Sequence, residues 1–195
     1  MDNPRSAPQA SVSMDSPRSA PAAVEIDGLS VSDDPRLQVA SLRYFDTAGI
    51  FAGAVREIVG RPVPAPLHAI RVEPPLKNAL FILAWRSPTE TLLLSSDRVA
   101  FADLDQRLAA AADGCMVDQT GGIRALGVHG PRAGELFLRL GATTSIPGLG
   151  EARSGRLADV QVLTACVQAG EFLLLVERVY AAHLLGWISA TAADF

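Results

Sequence analysis

The sequence predicts an α+β domain: mostly antiparallel sheet hairpins with helices on one face. Three observations lead there. From residue 79 onward, apolar runs come in pairs separated by tight turns, and each pair precedes a stretch of helical periodicity. The regular strand–helix–strand alternation of a doubly wound nucleotide-binding sheet is absent. Of the 195 residues, 49% are apolar and only 19% charged, which suits one compact core with some surface reserved for a partner.

Residues 1–36 read as a disordered leader rich in Pro, Ser and Ala. MDNPRSAP at 1–8 recurs as MDSPRSAP at 14–21, and little in this stretch can be buried. The folded domain is expected over 37–195. LQVASLRYF (37–45) reads as a strand. Asp46 is placed to cap a helix whose Ile50, Phe51, Ala54, Val55 and Ile58 recur at helical spacing, and Gly60 stops it. Five prolines across 61–75 exclude a helix there and leave a short extended piece, LHAIRV.

ALFILAW (79–85) and TLLLSS (91–96) form a hairpin around Pro88. Ser96 or Asp97 caps the next helix, with Phe101, Leu104, Leu108 and Ala111 facing the core and Gly114 ending it. CMVDQT and IRALGVHG are strands on either side of a turn at Gly121 and Gly122. GPRAGELFLRLG then starts a helix, with Gly130 at the cap and Pro131 at the first helical position, where a missing N–H costs nothing. Ala133, Leu136, Phe137 and Leu140 point inward; Arg132, Glu135 and Arg139 face water. Residues 143–159 read as a long polar connection. VQVLTACVQ and EFLLLVE make a last hairpin around Ala169 and Gly170. A terminal helix over 179–192 lines up Tyr180, Leu184, Trp187 and Ile188.

Chemistry is harder to find. The net charge is −4, most of it within residues 1–38, so nothing offers the basic face of a nucleic-acid binder. No apolar run approaches the ~20 residues of a bilayer span, and no basic-then-apolar secretory signal opens the chain, so a cytoplasmic location is expected. Cys115 and Cys166 have no metal-like neighbours and are expected as two buried thiols rather than a disulfide. His68, His129 and His183 are scattered without triad or metal spacing; His183 is assigned a packing or capping role. The glycines of 121–130 match neither phosphate-loop fingerprint and read as turns. What remains is a polar set, Asp118, Thr120 and Arg124, which is a candidate contact for a partner. The bland reading of Asp118 is a hydrogen bond that closes a turn. No catalytic, cofactor-binding or metal-binding residue is assigned.

AWRSPTETLLL (84–94), a helix, and then DGCMVDQTGGIRALGVHGPRAGELFLRLG (113–141) resemble the gamma subunit of heterotetrameric sarcosine oxidase. That subunit is similar to the folate-binding domain of the glycine-cleavage aminomethyltransferase. The pieces that carry the resemblance are 87–94, 118–120, 126–141 and 180–188, in order, within residues 37–195. The resemblance implies a non-catalytic subunit of a cytoplasmic flavoenzyme complex. That complex would demethylate sarcosine oxidatively to glycine and pass the one-carbon unit to tetrahydrofolate. FAD, FMN, NAD and tetrahydrofolate would sit in partner subunits, foremost a flavin-bearing beta-type subunit, with none held by this chain. Two alternatives stay open. One is a stand-alone folate-binding protein of the aminomethyltransferase type. The other is a gamma-like subunit of another secondary-amine oxidoreductase, such as N-methylglutamate dehydrogenase.

Overall fold

The computed structural model describes residues 24–26, 28–34, 36–72 and 80–195. In chain order these form β1 (Val24–Ile26), β2 (Leu29–Asp33), β3 (Gln38–Tyr44), α1 (Ile50–Val59) and β4 (Ala69–Val72). Next come β5 (Phe81–Ser87), β6 (Glu90–Ser95), α2 (Arg98–Leu108), β7 (Gly114–Asp118) and β8 (Ile123–His129). The last are α3 (Ala133–Arg139), β9 (Glu151–Leu157), β10 (Val160–Gln168), β11 (Glu171–Glu177) and α4 (Arg178–Ala192).

The fold is α+β, as expected, but it contains two antiparallel sheets among the described residues. One has the order β1-β2-β8-β11-β10-β9, the other β4-β5-β6-β3-β7. Their inner faces meet in a core of Val39, Ala84, Leu92 and Leu94 against Ala125, Ala152, Leu163 and Leu175. The outer face of the five-stranded sheet packs on α1 and α2 through Leu42, Phe51, Val55, Leu93 and Leu104. That of the six-stranded sheet packs on α3 and α4 through Leu126, Leu136, Leu174, Leu184 and Ile188. Each sheet therefore has helices on one face only, and the molecule has four layers.

The two halves repeat one plan. Each runs strand, helix, three strands and helix: β3-α1-β4-β5-β6-α2, then β8-α3-β9-β10-β11-α4. The strand orders correspond too, with β7 beside β3 in the first half and β2 beside β8 in the second. Both hairpins break register at the same place, between Trp85 and Ser87 and between Cys166 and Gln168. Once aligned this way, the sequence shows the repeat. ETLLLSSDRVAFADL (90–104) matches EFLLLVERVYAAHL (171–184) with one residue fewer, so that Leu104 corresponds to Leu184. AGAVREIVG (52–60) matches AGELFLRLG (133–141), and both close on a left-handed glycine, with φ of 82° and 70°.

Several expectations change. The proposed leader is too long: Val24–Ile26 and Leu29–Asp33 form β1 and β2, because Leu29 and Val31 complete the core under α3 and α4. Residues 1–23 and 73–79 lie outside the described residues, and the short extended piece expected in LHAIRV is β4. CMVDQT and IRALGVHG are strands but not a hairpin: β7 pairs with β3, β8 with β2 and β11, so 119–122 crosses between sheets. The supposed polar connection contains β9, which buries Ala152 in the seam between the sheets and Leu157 on its opposite face under the helices, while Ser154 and Arg156 are exposed. Asp46 does not cap α1; Gly49 holds that position and Asp46 Oδ1 accepts from Ala48 N instead. Asp97 does cap α2, accepting from Val99 N and Ala100 N at 2.9 and 3.0 Å. That helix ends at Leu108, with Ala109 at its C-cap, so Gly114 opens β7 rather than ending α2. Pro131 precedes α3 by two residues, with Arg132 as the N-cap. Gly130 there has φ of 116°, and a Cβ on it would run into the backbone of Gly28, so both sterics and conformation demand glycine.

Small side chains set the sheet spacing. Ala69 pairs with Ala84, and Ala152 with Ala165, at matching positions in the two halves. All four are at most 2% exposed, and the equivalent edge strands are joined through a bridge between His68 and Glu151. Ala84→Leu forces added volume into this seam and is expected to destabilise the chain by about 1–3 kcal/mol in denaturant titration. Leu138→Ala, at an exposed position on α3, should change stability by less than about 0.5 kcal/mol.

Candidate functional site

The sequence-predicted polar set does not form one patch. Asp118 and Thr120 do come together: Thr120 N–H donates to Asp118 Oδ1 at 2.8 Å, closing the crossover turn. Thr120 Oγ1 also accepts from Val39 N at 3.0 Å and donates to the Val39 carbonyl at 3.3 Å, tying the crossover to β3. Arg124 lies on β8 and turns to β2 instead. Its Nη2 and Nε donate to Asp33 Oδ2 at 2.8 and 3.2 Å.

Asp33 and Asp118 occupy equivalent places: each sits opposite the central strand of its sheet, facing Leu126 and Ala40 respectively. In the first half the residue two positions on is Thr120, whose N–H caps the carboxylate. In the second it is Pro35, which has no N–H to give. Asp33 is 9% exposed, and its Oδ1 is buried without a hydrogen-bond partner. Arg124 compensates by supplying the charge, so its guanidinium serves the fold.

The histidines stay apart. His68 Nδ1 lies 2.8 Å from the Pro66 carbonyl, His129 ends β8, and His183 stands on the exposed side of α4. No group of three or more His, Cys, Asp or Glu among the described residues is arranged to hold a metal ion. No helix among them is long and apolar enough to cross a membrane. The cysteines are both free but are not the buried pair expected: Cys115 is exposed on β7, while Cys166 is buried. Burial pushes the Cys166 thiol up, the reverse of an activated nucleophile.

The feature that sequence reasoning missed is the outer face of α4. Tyr180 and Trp187, assigned to the core stripe, are 51% and 53% exposed, and Val179 is 79% exposed. The buried stripe is Ala181, Leu184, Ile188 and Ala192. Between Arg178 and Asp194 the helix carries no formal charge, so it is apolar on the wet side as well. The repeat supplies an internal control. On α2, the positions matching His183 and Trp187 are Asp103 and Arg107, which form an ion pair at 3.9 Å. On α4 the same two positions hold a tilted ring pair with centroids 6.5 Å apart. Ala182, Gly186 and Ala190 make a shallow groove beside that ridge. One helix of the pair is finished for water and the other is not. The end of the chain is anchored nearby, with Phe195 packed under the guanidinium groups of Arg132 and Arg139 at 4.0 and 4.6 Å.

No protein-family profile matches the chain, and no curated protein matches its sequence. Solved structures do match its fold. A chain of heterotetrameric sarcosine oxidase from Corynebacterium sp. U-96, in complex with pyrrole 2-carboxylate, matches with a TM-score of 0.72 at 17% identity. That match covers 86% of this chain and 85% of the other. Glycine cleavage system aminomethyltransferase T from Bartonella henselae matches with a TM-score of 0.61 at 12% identity over 80% of this chain. This chain spans 44% of that aminomethyltransferase. The fold is therefore aminomethyltransferase-like, in agreement with the resemblance read from the sequence, and the likeness is one of fold.

Two outcomes follow from this geometry. Arg124→Ala strips the ion pair from a buried carboxylate and is expected to cost about 3 kcal/mol in denaturant unfolding. Changing Asp33 to Asn in the same chain should recover part of that loss. Iodoacetamide at neutral pH should label Cys115 alone by mass spectrometry, with Cys166 modified only after unfolding.

Proposed function

We propose that this chain is a non-catalytic, gamma-type subunit of a sarcosine oxidase-like flavoenzyme complex, and that the outer face of α4 packs against a partner subunit. The observation that carries this reading is the uncharged outer face of α4 on a fold shared with a chain of a heterotetrameric enzyme. Side chains such as Trp187 and Val179 each gain about 1.5–3 kcal/mol when fully removed from water, which a lone domain forgoes and a complex recovers. The complex is cytoplasmic in this reading. FAD, FMN and NAD belong to partner subunits, tetrahydrofolate accepts the one-carbon unit in a partner, and the flavin-bearing beta-type subunit is the nearest neighbour. Asp118, at the crossover, is exposed and is a second candidate contact for a partner.

The likeness to aminomethyltransferase T favours one second reading, in which the chain binds tetrahydrofolate by itself. Calorimetry of the isolated full chain with tetrahydrofolate separates the two, since micromolar binding supports the second reading and no binding supports the first. A subunit that serves another secondary-amine oxidoreductase would give the same co-purification with a different substrate.

Co-expression of the tagged full chain with sarcosine oxidase alpha, beta and delta subunits is the direct test. The expected result is a stoichiometric complex with flavin absorbance and a colourless, inactive chain when expressed alone. A stable monomer that oxidises sarcosine unaided contradicts the reading. Trp187→Glu combined with His183→Glu should abolish co-purification while lowering the chain's own stability by only about 1 kcal/mol, because both side chains stand on the wet side of α4 and the new carboxylates repel only weakly.

A further inference from the structure

We propose that a cleft at the open end of the seam between the two sheets binds a small carboxylate with an apolar body, held by Arg86. Two adjoining hollows share Arg86, Ile123 and Glu177, and the deeper one has a volume of about 320 Å³, within the range of small-ligand sites. Ile123, Leu163 and Leu175 form its floor; Arg86, Gln161 and Tyr180 stand at its rim. Glu177 is also on the rim, beside Arg178.

Arg86 is held in place by a network. Its Nη1 donates to Glu90 Oε1 at 3.3 Å, and Glu90 also accepts from Ser41 Oγ and lies 3.8 Å from Arg43 Nε. The Nε and Nη2 groups of Arg86 have no partner among the described residues, leaving a planar pair of donors for a carboxylate. Arg43, Glu90 and Arg86 together carry one net positive charge, which matches a monoanion better than a phosphate dianion.

The repeat shows that the fold does not require this network. In the second half Glu171 stands where Glu90 does, facing His129 in place of Arg43. Gly127 replaces Ser41 and Val167 replaces Arg86, so the backbone frame is kept and the cationic cluster is gone. A polar network present in one copy of a repeated frame, beside an apolar floor, points to a ligand rather than to stability. The inference does not depend on the subunit reading, since it concerns the chain alone.

The test titrates the full-length chain with 4-phenylbutyrate, its neutral amide, and phenyl phosphate, by calorimetry. Saturable binding of the acid is expected, weaker by at least about tenfold for the amide and for Arg86→Val, the loss of one charged hydrogen bond. Phenyl phosphate should bind no better than the acid. Arg86→Lys, which keeps the charge but not the paired donors, should fall between, and it covers the case in which Arg86→Val does not fold. Absence of saturable binding, equal affinity for acid and amide, or unchanged affinity in both variants overturns the proposal. Binding to the isolated chain that vanishes in the assembled complex would assign the cleft to a partner segment and overturn it as a small-ligand site.

Discussion

The close approach of two sheets across a seam of small apolar side chains is the constraint on which the structure depends. Ala69, Ala84, Ala152 and Ala165 sit at matching places in the two halves and are almost fully buried. A larger residue at any of them pushes the sheets apart, and protein interiors have little slack to absorb that. Around the alanines, Ile82 corresponds to Leu163, Leu92 to Leu173, and Leu94 to Leu175. The same seam closes at one edge through Ala69 N to the Gly150 carbonyl and Ala152 N to the Leu67 carbonyl. At the other end it opens, and there the Arg86 cleft lies.

Repetition of one plan explains both the economy of the fold and its asymmetry. The first half makes its own last strand, β7. In the second half β2, from before the first half, takes the equivalent place beside β8. The substitution leaves a trace in the chemistry. Thr120 can cap Asp118, but Pro35 cannot cap Asp33, and Arg124 fills the deficit across 91 residues of sequence. Where the two copies differ without such a structural reason, at α4 against α2 and at Arg86 against Val167, lie the two surfaces proposed above for binding.

Much of the fold was legible because its elements are strongly periodic. ALFILAW, TLLLSS, VQVLTACVQ and EFLLLVE are buried runs that only strands of this length explain, and the glycines after α1 and α3 stop their helices where expected. What was not legible has physical causes. EARSGRL buries only Ala152 and Leu157, so β9 looks like a loop. The crossover at 119–122 is a hydrogen-bonded turn in both sequence and structure, and no local signal says that the strands on either side of it join different sheets. From Val179 to Ala192 α4 carries no formal charge and has apolar residues on every side, so helical periodicity could not say which side faces water, and Trp187 was placed inside. Of the candidate contacts, Asp118 and Thr120 do close a turn, while the ion pair of Arg124 needed knowledge of β2.

In the proposed assembly the wet side of α4 is covered and that of α2 is not. Hydrogen–deuterium exchange measured on the full chain, alone and in the co-expressed flavoprotein complex, tests it most directly. The account predicts slower exchange over 178–192 in the complex, with 98–108 unchanged. Slowing confined to α2, or no difference at α4 between free and assembled chain, would contradict it.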